Sequence, residues 1–102
     1  MSASPDLAAA IEELWRGFRS LAVGRVGTLQ TCASWSGPLP EELRARGEAA
    51  AHQLAGSLDS YGRTGGSALA ADIESLLHQQ PGTHGERLAD RVRRLTVIVE
   101  GP

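Results

Sequence analysis

Carboxylates and hydroxyls aside, four side chains in this 102-residue sequence have the chemistry of a nucleophile, a proton carrier or a soft ligand: the imidazoles of His52, His78 and His84 and the thiol of Cys32. A neutral imidazole attacks electrophilic carbon or phosphorus, and its ordinary pKa of about 6.5 leaves an exposed copy mostly uncharged near pH 7. One cysteine closes no internal disulfide, so Cys32 is expected to pack as a small apolar residue. No two histidines stand four apart, which argues against a metal site built from the three of them and Cys32. The sequence also lacks a glycine-rich phosphate loop, a CxxC pair, an HExxH and a GxSxG. Whatever chemistry it does must rest on very few groups.

Composition narrows the class. The chain carries 10 basic residues, all arginine, against 12 acidic ones, for a net charge of −2. Phosphate-backbone binding calls for a cationic surplus on one face, so a nucleic-acid partner is not expected. No stretch approaches the roughly 20 apolar residues of a membrane span, and no basic segment followed by an apolar one opens the chain. A cytoplasmic, membrane-free protein is therefore expected, with residues 1–102 forming one small domain.

The elements that must position the histidines read as helices throughout. Ser4-Pro5-Asp6 suits a helix start, and Leu7, Ile11, Leu14, Phe18, Ala22, Val26, Leu29 and Ala33 recur at steps of three and four. Gly17, Gly24 and Gly27 interrupt that span, and a break or bend is expected near Gly24. Trp15 sits beside the stripe and is expected to be half-buried, with Trp35 near the helix end. Ser36 to Pro40 punctuates the chain, and Leu43, Gly47, Ala50, Leu54, Leu58 and Tyr61 carry a second helix to about Gly62. A third is expected after Thr64-Gly65-Gly66, burying Leu69, Ile73 and Leu76, with His78 in its last turn. Thr83 and Glu86 have capping-box spacing, which places His84 in a loop or first turn and opens a fourth helix with Leu88, Val92, Leu95 and Val99 inward. Thr96 to Val99 is β-branched and would suit a strand, yet it has no second strand to pair with. Arg91, Arg93 and Arg94 diverge around the axis and read as a solvated face. The fold expected is all-α, an antiparallel up-down four-helix bundle.

At about 100° per residue, Leu43, Leu54 and Tyr61 lie about 180–200° from His52. The histidine therefore points away from the apolar stripe, into solvent from the middle of the second helix. Glu48 lies one turn before it, Ala55 and Gly56 one turn after, and Asp59 two turns after. A glycine inside a helix weakens it and packs nothing, so Gly56 is read as space for a close approach by another protein.

The segment Ala51-His52-Gln53-Leu54-Ala55-Gly56-Ser57-Leu58-Asp59-Ser60-Tyr61-Gly62, followed by Ser67-Ala68-Leu69-Ala70-Ala71-Asp72-Ile73-Glu74, resembles the signature of the histidine-containing phosphotransfer (HPt) domains of bacterial two-component phosphorelays. That family's pattern is His-x-Leu-Lys-Gly, then Ser or Ala, a glycine closing the helix, and a leucine- and alanine-rich third helix. His52, Leu54, Gly56, Ser57 and Gly62 match it in order and spacing, over roughly residues 48 to 77. Ala55 departs from it, standing where the family has a lysine whose charge would favour a phosphorylated imidazole.

The resemblance implies a phosphorelay intermediate rather than an enzyme. His52 is the implied phosphoacceptor, taking a phosphoryl group from the aspartyl phosphate of a receiver domain, or from a sensor kinase, and passing it to another receiver. Glu48, Ala55, Gly56 and Asp59 are the implied docking surface, and Gln53 and Arg63 are the candidates for stabilising the phosphate. No cofactor or metal is implied on this chain, because phosphoryl transfer is mostly positioning and charge stabilisation and the receiver supplies its own Mg²⁺. The partners implied are a response-regulator receiver and a hybrid sensor kinase, and the chain is expected to be a monomer. Two other readings stand beside this one. The first is an HPt-like helical module that binds a signalling partner without carrying phosphate, and the second is a fragment of a larger sensor kinase.

Overall fold

The computed structural model describes residues 5–79 and 85–101, and among these it contains four α-helices and no strand. They are α1 (Pro5–Ser34), α2 (Glu41–Ala55), α3 (Gly66–His78) and α4 (Gly85–Glu100), with a 3-10 turn at Leu58–Tyr61 between α2 and α3. Each helix packs against the one before and after it, and α4 returns to α1. Side-chain pairings set the directions. Cys32 at the end of α1 meets Leu43 at the start of α2, Glu48 and His52 of α2 meet His78 and Glu74 of α3, and Asp72 of α3 meets Arg91 of α4. The architecture is the antiparallel four-helix bundle that the sequence periodicity predicts.

The core runs along the bundle as Ala22, Val26 and Leu29 of α1, Ala51 and Leu54 of α2, Leu58 of the turn, Ile73 and Leu77 of α3 and Leu95 and Val99 of α4. Each fully buried Leu, Ile or Val contributes about 1.5–3 kcal/mol relative to exposure. That total sets the element boundaries where local preference alone would place them elsewhere. Thr96 to Val99 stays helical because Leu95 and Val99 are buried and the Thr96 hydroxyl donates to the Val92 carbonyl at 2.7 Å. All four residues expected to point inward from α4 are buried.

α1 differs from its sequence reading in two ways. It runs unbroken through Gly24, since the roughly 1 kcal/mol that a helical glycine costs is offset by burial of Ala22, Val26 and Leu29 around it. Its inward stripe also differs in the N-terminal half, although Ala22, Val26 and Leu29 are buried as expected. Leu7 and Leu14 are 52% and 63% exposed, while Trp15 is buried at 5%. Trp15 has more apolar area to bury than Leu14, and it packs with Phe18 and Tyr61, whose rings stack at 4.6 Å. Arg63 covers the Trp15 ring at 4.5 Å. The Ser4 cap, Thr83 and His84 lie outside the described residues.

The second helix is shorter than its apolar spacing suggests. It ends at Ala55 with Gly56 as its C-cap, and the chain re-forms as the 3-10 turn that keeps Leu58 buried. Gly62 then reverses the chain at φ 77°, a left-handed conformation that favours glycine. His52 accordingly lies in the last turn of α2, not in its middle, and Gly56 closes the helix instead of interrupting it.

Gly47 sits where α2 crosses α1 and α3. A Cβ there would come within 2.7 Å of Cys32 Sγ and 3.1 Å of Leu77 Cδ1. Gly24 faces open space. Urea denaturation should therefore separate the two glycines. Gly47→Leu is expected to lower stability by about 2–3 kcal/mol by overpacking, and Gly24→Ala to raise it by up to about 1 kcal/mol through helix propensity.

Candidate functional site

The face shared by α2 and α3 gathers the polar groups of interest. Glu48 and His52 stand four apart on α2, and Glu74 and His78 stand four apart on α3. Because the helices are antiparallel, each histidine meets the carboxylate of the opposite helix. His52 Nδ1 lies 2.9 Å from Glu74 Oε2, and His78 Nδ1 lies 2.8 Å from Glu48 Oε1. An ionised carboxylate only accepts, so Nδ1 of each ring carries the proton and donates it. In the neutral form of either ring Nε2 then keeps its lone pair, outside the bond that holds the ring. Both side chains are open to solvent, His52 at 74% and His78 at 76%.

His52 lies on a shallow groove lined by Ala45, Glu48, Ala49, Gln53 and Glu74. Alanines on the α2 side keep the floor low beside the imidazole, and nothing on that side is bulkier than Gln53. Gln53 is exposed beside His52, and its backbone carbonyl accepts the Ser57 hydroxyl at 2.8 Å, which secures the end of the helix. Ala55 is half-buried against the core and Gly56 is exposed. A Cβ on Gly56 would meet only backbone carbonyl oxygens at 3.7 and 3.8 Å, an ordinary contact, and its φ of −81° is open to any residue.

Three of the residues placed around His52 by sequence have other engagements. Asp59 does not continue the face, because α2 ends before it. Its carboxylate accepts from the Ser67 backbone N–H at 3.2 Å while its own N–H donates to the Ser67 hydroxyl at 3.1 Å, which clips the turn to the start of α3. Arg63 points to α1, where its guanidinium pairs with Glu12 at 2.5 Å over the Trp15 ring, and so it is turned away from His52. Glu48 is occupied on both oxygens, by Arg44 on one and His78 on the other. The Arg44 guanidinium, then the His78 imidazole, hold the Glu48 carboxyl below its ordinary range.

Glu74 is the residue of this site that periodicity alone does not single out. Its signal in the sequence is a repeat: Glu-x-x-x-His occurs at 48–52 and again at 74–78, on two helices that a hairpin sets antiparallel. Among the described residues no three His, Cys, Asp or Glu side chains converge on one point where a metal ion would sit. Cys32 is buried, donates weakly to the Leu43 carbonyl at 3.7 Å, and its thiol pKa is pushed up by burial. Arg91, Arg93 and Arg94 all bond Asp90, so that cluster is internally paired. Trp35 is 46% exposed just beyond α1.

The lowered Glu48 carboxyl has a consequence for stability. A carboxyl whose folded pKa lies below its unfolded value of about 4.5 stabilises the fold above that value, and the gain is lost as pH falls through the folded pKa. Thermal melting followed as a function of pH should show wild-type stability falling below about pH 5, with a shallower fall in Glu48→Gln.

No family model matches the chain, and no curated protein or solved structure matches it significantly. No helix among the described residues is long and apolar enough to cross a membrane.

Proposed function

We propose that this protein is a phosphocarrier of the HPt kind, with His52 as its phosphoacceptor. One observation carries the reading: an imidazole 74% open to solvent, tied at Nδ1 by Glu74 at 2.9 Å and leaving Nε2 free on a low surface. Its support from sequence is the His52, Leu54, Gly56, Ser57 and Gly62 spacing.

The chemistry follows from those atoms. The Nε2 lone pair attacks the phosphorus of a receiver's aspartyl phosphate, an N–P bond forms, and the P–O bond to the aspartyl carboxylate breaks. The carboxylate leaves with the electron pair. Attack makes the ring more positive, and Glu74 stabilises that charge through the Nδ1 proton, which stays on the ring. The return step to a second receiver reverses each bond change. No group on this chain needs to hold the Mg²⁺, which belongs to the receiver's acidic pocket. The low groove beside His52 and the exposed Gly56 admit a convex partner to within bonding distance of Nε2. The proposed setting is the cytoplasm, where receivers and sensor kinases meet, with the chain acting as a monomer.

A second reading has its own observation. The family's lysine position is Ala55, and among the described residues no arginine bonds His52 or Glu74. An HPt-like module that docks on a receiver without accepting phosphate would have the same surface.

Incubation with a panel of phosphorylated receivers and Mg²⁺ separates the two. The wild type should acquire acid-labile, base-stable phosphate and His52→Gln should acquire none. Equal labelling of His52→Gln would sink the assignment, and receiver binding without phosphate would select the docking module. Gly56→Arg is expected to cut transfer by at least about tenfold, or about 1.4 kcal/mol of lost docking, with its helical circular dichroism unchanged.

A further inference from the structure

The His52 and Glu74 pair has a counterpart on the same face. His78 and Glu48 form the same unit with the helices exchanged: a carboxylate of one helix accepts from Nδ1 of an exposed imidazole in the last turn of the other. The two units match in distance, 2.9 against 2.8 Å, and in side-chain exposure, 74% against 76%. Each also lies at a helix C-terminus, whose carbonyl ends disfavour an added anion to a similar degree. They differ in the cation that holds the carboxylate. Arg44 bonds Glu48 and also donates from Nη1 to the Leu77 carbonyl at 3.3 Å, one residue before His78. Its guanidinium is anchored by Glu41 as well, at 2.6 and 2.8 Å, so a fixed cation lies beside the second imidazole.

That cation matters for an anion placed on the ring. A phosphoryl group adds a charge of about −1.5 to −2. Beside His52 it would face Glu48 along the groove and the Glu74 carboxylate that holds the ring, and Glu74 bonds no arginine among the described residues. Beside His78 it would face Glu74 across the groove and Glu48, whose charge is offset in part by the Arg44 guanidinium that Glu48 shares with Glu41.

We infer that His78 is a second phosphoacceptor, with Glu48 orienting its ring and Arg44 supplying the compensating charge. This rests on the phosphohistidine reading of the preceding subsection and extends it to a second nucleophile on the same face. With phosphoramidate as the donor, Nε2 attacks phosphorus, an N–P bond forms, and the P–N bond to the donor's protonated nitrogen breaks, so that ammonia leaves with the bonding pair. The Nδ1 proton stays on the ring, shared with Glu48. No receiver or metal is needed.

The full chain is incubated with phosphoramidate, and label is located by peptide mass spectrometry under neutral conditions. His78→Gln and His52→Gln serve to assign the two sites. His78 should be labelled at least as fast as His52, and labelling of His78 should persist in His52→Gln. Arg44→Gln should lower the His78 to His52 labelling ratio by about two- to fivefold, the range an exposed ion pair supplies, and Arg44→Lys should restore most of it. Circular dichroism checks that each variant stays helical. Slower labelling at His78 than at His52, or a ratio that Arg44→Gln leaves unmoved, would overturn the inference. Neither result bears on the phosphocarrier reading, which receiver exchange at His52 decides.

Discussion

The register between α2 and α3 is the constraint from which the surface chemistry follows. Positions 48 and 78 face each other, and so do 52 and 74. A slip of one helical turn would part both histidines from their carboxylates and put like groups opposite each other. Three contacts hold the register. Gly47 lets α2 come close to Leu77 and Cys32, Leu58 is buried beneath the turn, and Asp59 and Ser67 exchange hydrogen bonds across it. None of the three touches His52, yet each bears on where Nε2 points.

The two histidine units also show how a surface site is ordered without burial. Each ring is about three-quarters exposed, so packing does little to fix it. A charge-assisted hydrogen bond to a carboxylate on a neighbouring rigid helix does that instead. The carboxylates are themselves only 25–30% exposed, Glu48 pinned by Arg44 and Glu74 seated on α3. Orientation therefore passes from core to carboxylate to imidazole, and the nucleophilic nitrogen is left at the outer end, where only another molecule can reach it.

Much of this was legible in one dimension. The α4 stripe follows from three-and-four spacing, and on α3 Ile73 and Leu76 are buried as that spacing predicts, whereas Leu69 is only half-buried. The outward angle of His52 follows from the same arithmetic. The α1 stripe departs from its spacing where Leu14 and Trp15 compete for one inward direction, since spacing ranks them equally and the Phe18, Tyr61 and Arg63 contacts favour Trp15. The end of α2 is not legible from spacing because Leu58 and Tyr61 keep helical spacing after the backbone has changed to a 3-10 turn.

The sequence by itself determined the helical class, the exposure of His52 and the scarcity of other reactive groups, because periodicity and composition are local properties. Tertiary structure decided the partners. That Glu74 ties His52, that Glu48 ties His78 under Arg44, and that Arg63 leaves the site for Glu12 and Trp15 all depend on which helices lie side by side and in what register. Those pairings join residues 22 to 51 positions apart, and only burial of the shared core brings such distant groups within 3 Å.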